Sequence, residues 1–130
     1  MIVLDASAAI EWLLRTDVGE RVEARLFDRR DTLHAPHLID VEIAQVLRRY
    51  VTAGWMPAAR ARQVLDDLAA LALTRYPHDV LLDRIWALRD NLTAYDAAYV
   101  ALAEALAATL VTCDGRLAAA PGHDAIIDLV

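Results

Sequence analysis

Short apolar runs alternate with amphipathic stretches along this chain, and that alternation constrains the fold more than any other feature. Ile2-Val3-Leu4, Thr109 to Cys113 and Ala125 to Val130 are nearly unbroken apolar runs, as expected of strands buried on both faces of a parallel sheet. Thr32 to Ala35 and Ala72 to Tyr76, the latter ended by Pro77, are further strand candidates. Helical patterns lie between them. Ser7 is placed to cap a helix carrying Ala8, Ile10, Trp12, Leu13 and Leu14. A more polar helix spans Val18 to Arg30. Pro36 suits the first turn of a long helix whose apolar stripe is Ile39, Ile43, Val46, Leu47 and Tyr50, with Gly54 as its stop. Pro57 opens a helix with Val64, Leu65, Leu68 and Leu71 on one side, and Asp79 to Asp90 carries Leu82, Ile85, Trp86 and Leu88. Thr93 caps a helix running to Ala107, and Gly115 to Ala120 reads as a turn or short helix. Strands alternating with helices predict an α/β fold built on a parallel sheet.

A length of 130 residues fits one domain, 1–130. With 58% hydrophobic residues and a mean hydropathy of +0.31, disorder is excluded. Gly and Pro number four each and are dispersed, so no linker is visible. No membrane span is expected: Asp5 and Glu11 interrupt the first apolar stretch, and Glu104 interrupts the longest, Ala97 to Cys113. The single cysteine, Cys113, has no internal disulfide partner. These features predict a cytoplasmic protein.

The formal net charge is −6, and the chain contains no Lys. That balance argues against simple phosphate-driven nucleic-acid binding. It is compatible with carboxylates that hold cations, since two divalent ions would add four charges and leave −2. Four carboxylates are candidates. Asp5 directly follows the first strand and Asp114 the fourth. Ligands of open parallel sheets bind outside the carboxyl ends of the strands, where the connections reverse direction. If these strands are neighbours there, the two acids lie ~5 Å apart by strand spacing, and without a cation at least one pKa should rise. Each also has a plainer role: Asp5 as a helix cap, although Ser7 is better placed for that, and Asp114 as a turn residue in Asp-Gly. Asp96 stands three residues after Thr93, the spacing of a capping box, so local rules favour a cap. Ala97, Ala98, Ala101 and Ala105 nevertheless give its helix a small-residue surface that can press on a sheet and carry Asp96 toward the strand ends. Glu42 sits on the shoulder of an apolar stripe, between Ile39 and Val46, where it either faces solvent or aims at a site. Oxygen clusters of this kind suit Mg²⁺ or Mn²⁺. No Cys/His set for zinc is present, and Pro36 breaks any shared helical face between His34 and His37.

These residues resemble a known family. Met1 to Ala9 (MIVLDASAA) resembles the opening of PIN domains, specifically of VapC-like toxins of VapBC toxin–antitoxin pairs. Ala35 to Ala44 (APHLIDVEIA) resembles their second motif, Leu92 to Ala103 (LTAYDAAYVALA) the third and most specific, and Leu110 to Asp114 (LVTCD) the fourth. The similarity spans the chain in order, with no acidic position missing. Asp17 to Asp31 and Ala53 to Leu71 match in helical character only. The resemblance implies a three-layer fold around a five-stranded parallel sheet, a Mg²⁺- or Mn²⁺-dependent endoribonuclease, inhibition by a cognate VapB-like antitoxin, and a homodimer with the antitoxin wrapped over it. It carries over Asp5, Glu42, Asp96 and Asp114 as catalytic, metal-site residues, and Ser7 and Thr112 as supporting hydroxyls.

The expected chemistry is metal-assisted phosphodiester hydrolysis, with carboxylates holding the cation and one accepting a proton from water. Arg48, Arg49 and Arg116 are candidates for phosphate contact, against the plainer reading of each as a solvated surface residue. Phosphoryl transfer through an aspartyl phosphate is a rival. Its phosphatases want Asp-x-Asp, but position 7 is Ser, and its families place a Lys near the phosphate. A non-catalytic interaction module on the same fold is a third reading. Trp12, Trp55 and Trp86 are expected in the core by default, with a dimer or antitoxin surface as the alternative.

Overall fold

The computed structural model describes residues 1–27 and 30–130. Five strands form one all-parallel sheet in the order β3-β2-β1-β4-β5: β1 (Ile2–Leu4), β2 (Leu33–Pro36), β3 (Leu73–Tyr76), β4 (Thr109–Thr112) and β5 (Ile127–Leu129). Its helices are α1 (Ala6–Leu13), α2 (Asp17–Phe27), α3 (Leu38–Thr52), α4 (Ala58–Ala70), α5 (Leu82–Ala87), α6 (Ala94–Leu106) and α7 (Gly115–Ala119), with a 3₁₀ turn at Asp79–Leu81. Helices α1 to α4 pack on one another, and α6 lies across β1, β2 and β4 with α5 against it. This is the expected three-layer α/β arrangement, since right-handed crossovers put successive helices on one face until the strand order reverses. The reversal falls between β1 and β4. No helix among the described residues is long and apolar enough to cross a membrane.

The central strands behave as their sequence predicts. β1 and β2 are buried along their whole length, and Leu110, Val111 and Thr112 of β4 are too. β5 departs from the prediction: it is an edge strand with partly exposed residues, and Ile126 beside it is exposed. Having one neighbour, it cannot be covered as a central strand is. Pro36 is another correction. It ends β2 instead of opening the next helix, because β2 continues its parallel ladder with β3 through Pro36 and Tyr76. Helix α3 starts at Leu38, whose amide donates to His78 Nε2 at 3.0 Å. Asp40 in its first turn receives a forked pair from Arg75 of β3, at 2.8 and 2.9 Å. Two contacts from the β3 end thus fix where α3 begins, one turn before Glu42.

Helix α6 is buried on all sides from Ala97 to Ala103. Ala97, Ala98 and Ala101 press inward as expected, whereas Ala105 is exposed. The predicted helix over Asp79 to Asp90 is shorter, and its inward side is Leu81, Ile85 and Leu88. Leu82 and Trp86 face solvent, Trp86 at 69% exposure with Arg89 over its ring. Trp55 is 78% exposed, so only Trp12 is partly buried, edge-on to Phe27. The predicted helix over Val18 to Arg30 is observed from Asp17 to Phe27, and residues 28 and 29 lie outside the described ones.

Helices α1 and α2 meet backbone to backbone at Gly19. A Cβ there would stand 2.1 Å from the Glu11 carbonyl oxygen and 2.6 Å from its carbon. Backbone cannot swing aside as a flexible side chain can. Gly19→Ala is therefore expected to destabilise the protein by about 1–3 kcal/mol, the usual cost of forced overpacking. Urea unfolding measures it, and a variant as stable as wild type would contradict this packing.

Candidate functional site

Asp5 follows β1 and sits at the N-cap position of α1, yet its side chain makes no capping bond. Its backbone continues the sheet, with the Asp5 amide donating to Val111 O at 3.0 Å. Register then sets Thr112 beside it, because Leu4 pairs with Val111. Thr112 Oγ1 donates to Asp5 Oδ2 at 2.7 Å, and Ser7 Oγ donates to the same oxygen at 2.5 Å. Each hydroxyl is itself fixed by a backbone amide: Cys113 N donates to Ser7 Oγ and Asp114 N to Thr112 Oγ1, both at 3.0 Å. A carboxylate only 5% exposed needs such donors, since a buried charge without partners is costly. Ser7 is thus not the helix cap its position suggests. It lies inside α1 and serves Asp5, having been drawn there by the end of β4 rather than by its own helix.

Asp114 is two residues beyond Thr112 and caps α7, its Oδ1 accepting from the Arg116 and Leu117 amides at 2.8 and 3.4 Å. The strand-spacing argument therefore places Thr112, not Asp114, directly opposite Asp5. Thr93 caps α6 by accepting the Asp96 amide at 3.1 Å. That bond uses Asp96's backbone and leaves its carboxylate available.

The pKa shifts report how the acids act on one another. Burial raises the Asp96 pKa, and the charges of Asp5 and Asp114 raise it further, against a Thr93 hydrogen bond and the Arg116 charge. Glu42, half-buried on α3, is pushed up to about 7 by burial and by the charges of Asp5 and Asp96, against a hydrogen bond from Tyr99. Asp96 thus stands electrostatically between Asp5 and Asp114, and Glu42 senses Asp5 and Asp96. Raised pKa values are found on Asp96 and Glu42.

Tyr99 was not singled out from the sequence, although it stands one helical turn after Asp96, a spacing that shares a face. Of the three arginines, Arg116 is 96% exposed, with its Nε 3.8 Å from Asp114 Oδ1, and Arg48 and Arg49 are exposed on α3, six and seven residues beyond Glu42. His34 is buried between Thr32 and Tyr76, bonded to both, and apart from His37, which lies near His78.

Among the described residues no three His, Cys, Asp or Glu side chains converge tightly enough to enclose a metal ion. The donor chemistry still fits a hard divalent cation. All four groups are carboxylates, and both hydroxyls take Asp5 Oδ2, sparing Oδ1. Cavities of 520, 430 and 620 Å³ are lined by other residues.

Comparison with known proteins agrees with this fold. Residues 2–122 match the model of the PIN domain. The chain is 50% identical over 117 residues to Ribonuclease VapC9 of Mycobacterium tuberculosis, covering 90% of this chain and 88% of that protein. It is 44% identical over 130 residues to Ribonuclease VapC12 of the same organism, covering 100% and 99%. Its fold matches the structure of VapBC2 from Rickettsia felis bound to a promoter DNA fragment, with a TM-score of 0.73 at 15% identity over 99% of this chain and 98% of that one. The chain belongs to the PIN-domain family and is closely related to its VapC ribonucleases.

Proposed function

We propose that this protein is the toxin of a type II toxin–antitoxin pair: an endoribonuclease that hydrolyses RNA phosphodiester bonds with Mg²⁺ or Mn²⁺ and is inhibited by a cognate VapB-like antitoxin. The observation that carries the reading is the buried Asp5 carboxylate, held by Ser7 and Thr112 where β1 and β4 end, with its charge felt by Glu42 of α3 and Asp96 of α6. RNA as substrate is supported by the ribonuclease relatives, and an antitoxin partner by the VapBC2 complex that the fold resembles.

Asp5 and Asp96 would hold the cation, with Glu42 and Asp114 completing the site. A bound cation supplies Lewis acidity, making water a better nucleophile at neutral pH and offsetting charge that develops on phosphate. Ser7 and Thr112 keep the Asp5 carboxylate fixed. One of the carboxylates would accept a proton from the attacking water. Exposed Arg116 beside Asp114 is available to a phosphate at the rim, and Arg48 and Arg49 further along α3. A homodimer is proposed as well, and exposed Val80, Leu82 and Trp86 offer apolar surface to a second copy or to the antitoxin.

A non-catalytic module is the second reading, favoured by the absence of a closed metal shell among the described residues. RNA cleavage by purified protein with Mn²⁺ decides between them. Asp5→Ala and Asp96→Ala are expected to lower the rate by roughly 10²–10³-fold, as for loss of one preorganised electrostatic stabiliser. Equal cleavage by wild type and both variants would overturn the proposal. Thr112→Val should lower activity by about 10–100-fold through its hold on Asp5, and an unchanged rate would remove its supporting role.

The raised acids also predict a pH dependence of stability. Glu42 moves from 4.5 to about 7 on folding, and Asp96 is raised too. Between those values the native state binds more protons than the unfolded one, so metal-free stability falls as pH rises from 4.5 to 7 and is insensitive to Glu42 above that. Thermal melts from pH 4.5 to 8 test it. Glu42→Gln should flatten the slope, and Mn²⁺ should raise the melting temperature most at the high-pH end. A metal-free slope of opposite sign that Glu42→Gln leaves intact would contradict the assignment.

A further inference from the structure

Tyr99 is the largest of the fully buried side chains, with 0% exposure. Its hydroxyl proton cannot reach water, and an unbonded buried hydroxyl is costly. Among the described residues its acceptor is Glu42 Oε2, at 3.4 Å. The backbone amide of Ala6, which follows Asp5, acts on the same phenol oxygen. The hydroxyl thus sits between the start of α1 and the Glu42 carboxylate. Its own helix carries Asp96 one turn earlier, so α6 presents an acid at the rim and a hydrogen-bond donor beneath it.

Glu42 needs such a donor. Asp5 and Asp96 repel it, and a glutamate has enough rotatable bonds to swing from a shoulder position into solvent. Asp5 is held by two hydroxyls, whereas among the described residues Glu42 has the phenol alone. At 3.4 Å the bond is long for O–H···O, in keeping with a contact that tightens when the site is loaded. We propose that Tyr99 is a positioning residue, which holds Glu42 among the acids by donating its buried hydroxyl to Oε2. The inference rests on reading the four carboxylates as one cation site, but the tether itself is a property of the protein alone.

Tyr99→Phe keeps the ring in the core and deletes the donor. Crystal structures of wild type and variant, Mn²⁺ calorimetry and RNA cleavage kinetics form one experiment. The expected result is Glu42 rotated away from Asp5 and Asp96, Mn²⁺ affinity and kcat each lower by roughly tenfold, the size of one lost hydrogen bond to a charged group, and KM for RNA little changed. In a Glu42→Gln background, Tyr99→Phe should add little, which a purely structural role would not predict. Glu42 unmoved in the variant, with unchanged Mn²⁺ affinity and kcat, overturns the inference whatever the melting temperature. If wild type neither binds Mn²⁺ nor cleaves RNA while Glu42 still rotates in the variant, the cation-site reading fails and the tether stands.

Discussion

The parallel pairing of β1 with β4 is the constraint on which the rest depends. It is where the sheet changes direction, so the two strands open their carboxyl ends onto the same rim. Its register puts Asp5 beside Thr112 and brings the first turn of α1 against the residues that leave β4. A one-residue slip would turn Thr112 to the other face and leave a nearly buried carboxylate with half its donors. The hydroxyls of Ser7 and Thr112 are useful because each has its acceptor side occupied by a backbone amide. Each proton is therefore directed at Asp5 Oδ2.

The four acids are not equivalent. Asp5 is buried and compensated, and Asp114 is engaged in capping α7. Asp96 and Glu42 have raised pKa values, through burial first and then through the charges of Asp5 and a second acid, Asp114 for Asp96 and Asp96 for Glu42. Like charges are kept together here by rigid elements: α6 pressed on the sheet by small residues, and α3 pinned at its start by Arg75 and His78. A site of this kind favours whatever brings positive charge to it, which is the physical basis for proposing a divalent cation.

Much of this was legible in the sequence. The strands announce themselves because central parallel strands need apolar residues on both faces, and Asp5 is marked by its place directly after the first. The errors share a cause: local rules were applied where tertiary partners decide. Ser7 has the composition of a cap, but β4 supplies a better use for its hydroxyl. Pro36 suits a helix start, but the ladder with β3 extends through it. Trp86 looks like core by hydrophobicity, yet the inward side of its segment is set by Leu81, Ile85 and Leu88. Asp96 posed a false choice, because capping uses its amide and a place in the proposed site would use its carboxylate. Tyr99 stayed hidden because a buried tyrosine in an apolar helix resembles packing until its acceptor on another helix is seen.

Anomalous diffraction from a crystal grown with Mn²⁺ above pH 7 tests the central claim most directly. The account predicts a manganese peak ligated by Asp5 and Asp96, with Glu42 or Asp114 turned toward it. Manganese absent from the ends of β1 and β4 while Asp5 and Asp96 remain free, or ligated by other residues alone, would contradict it.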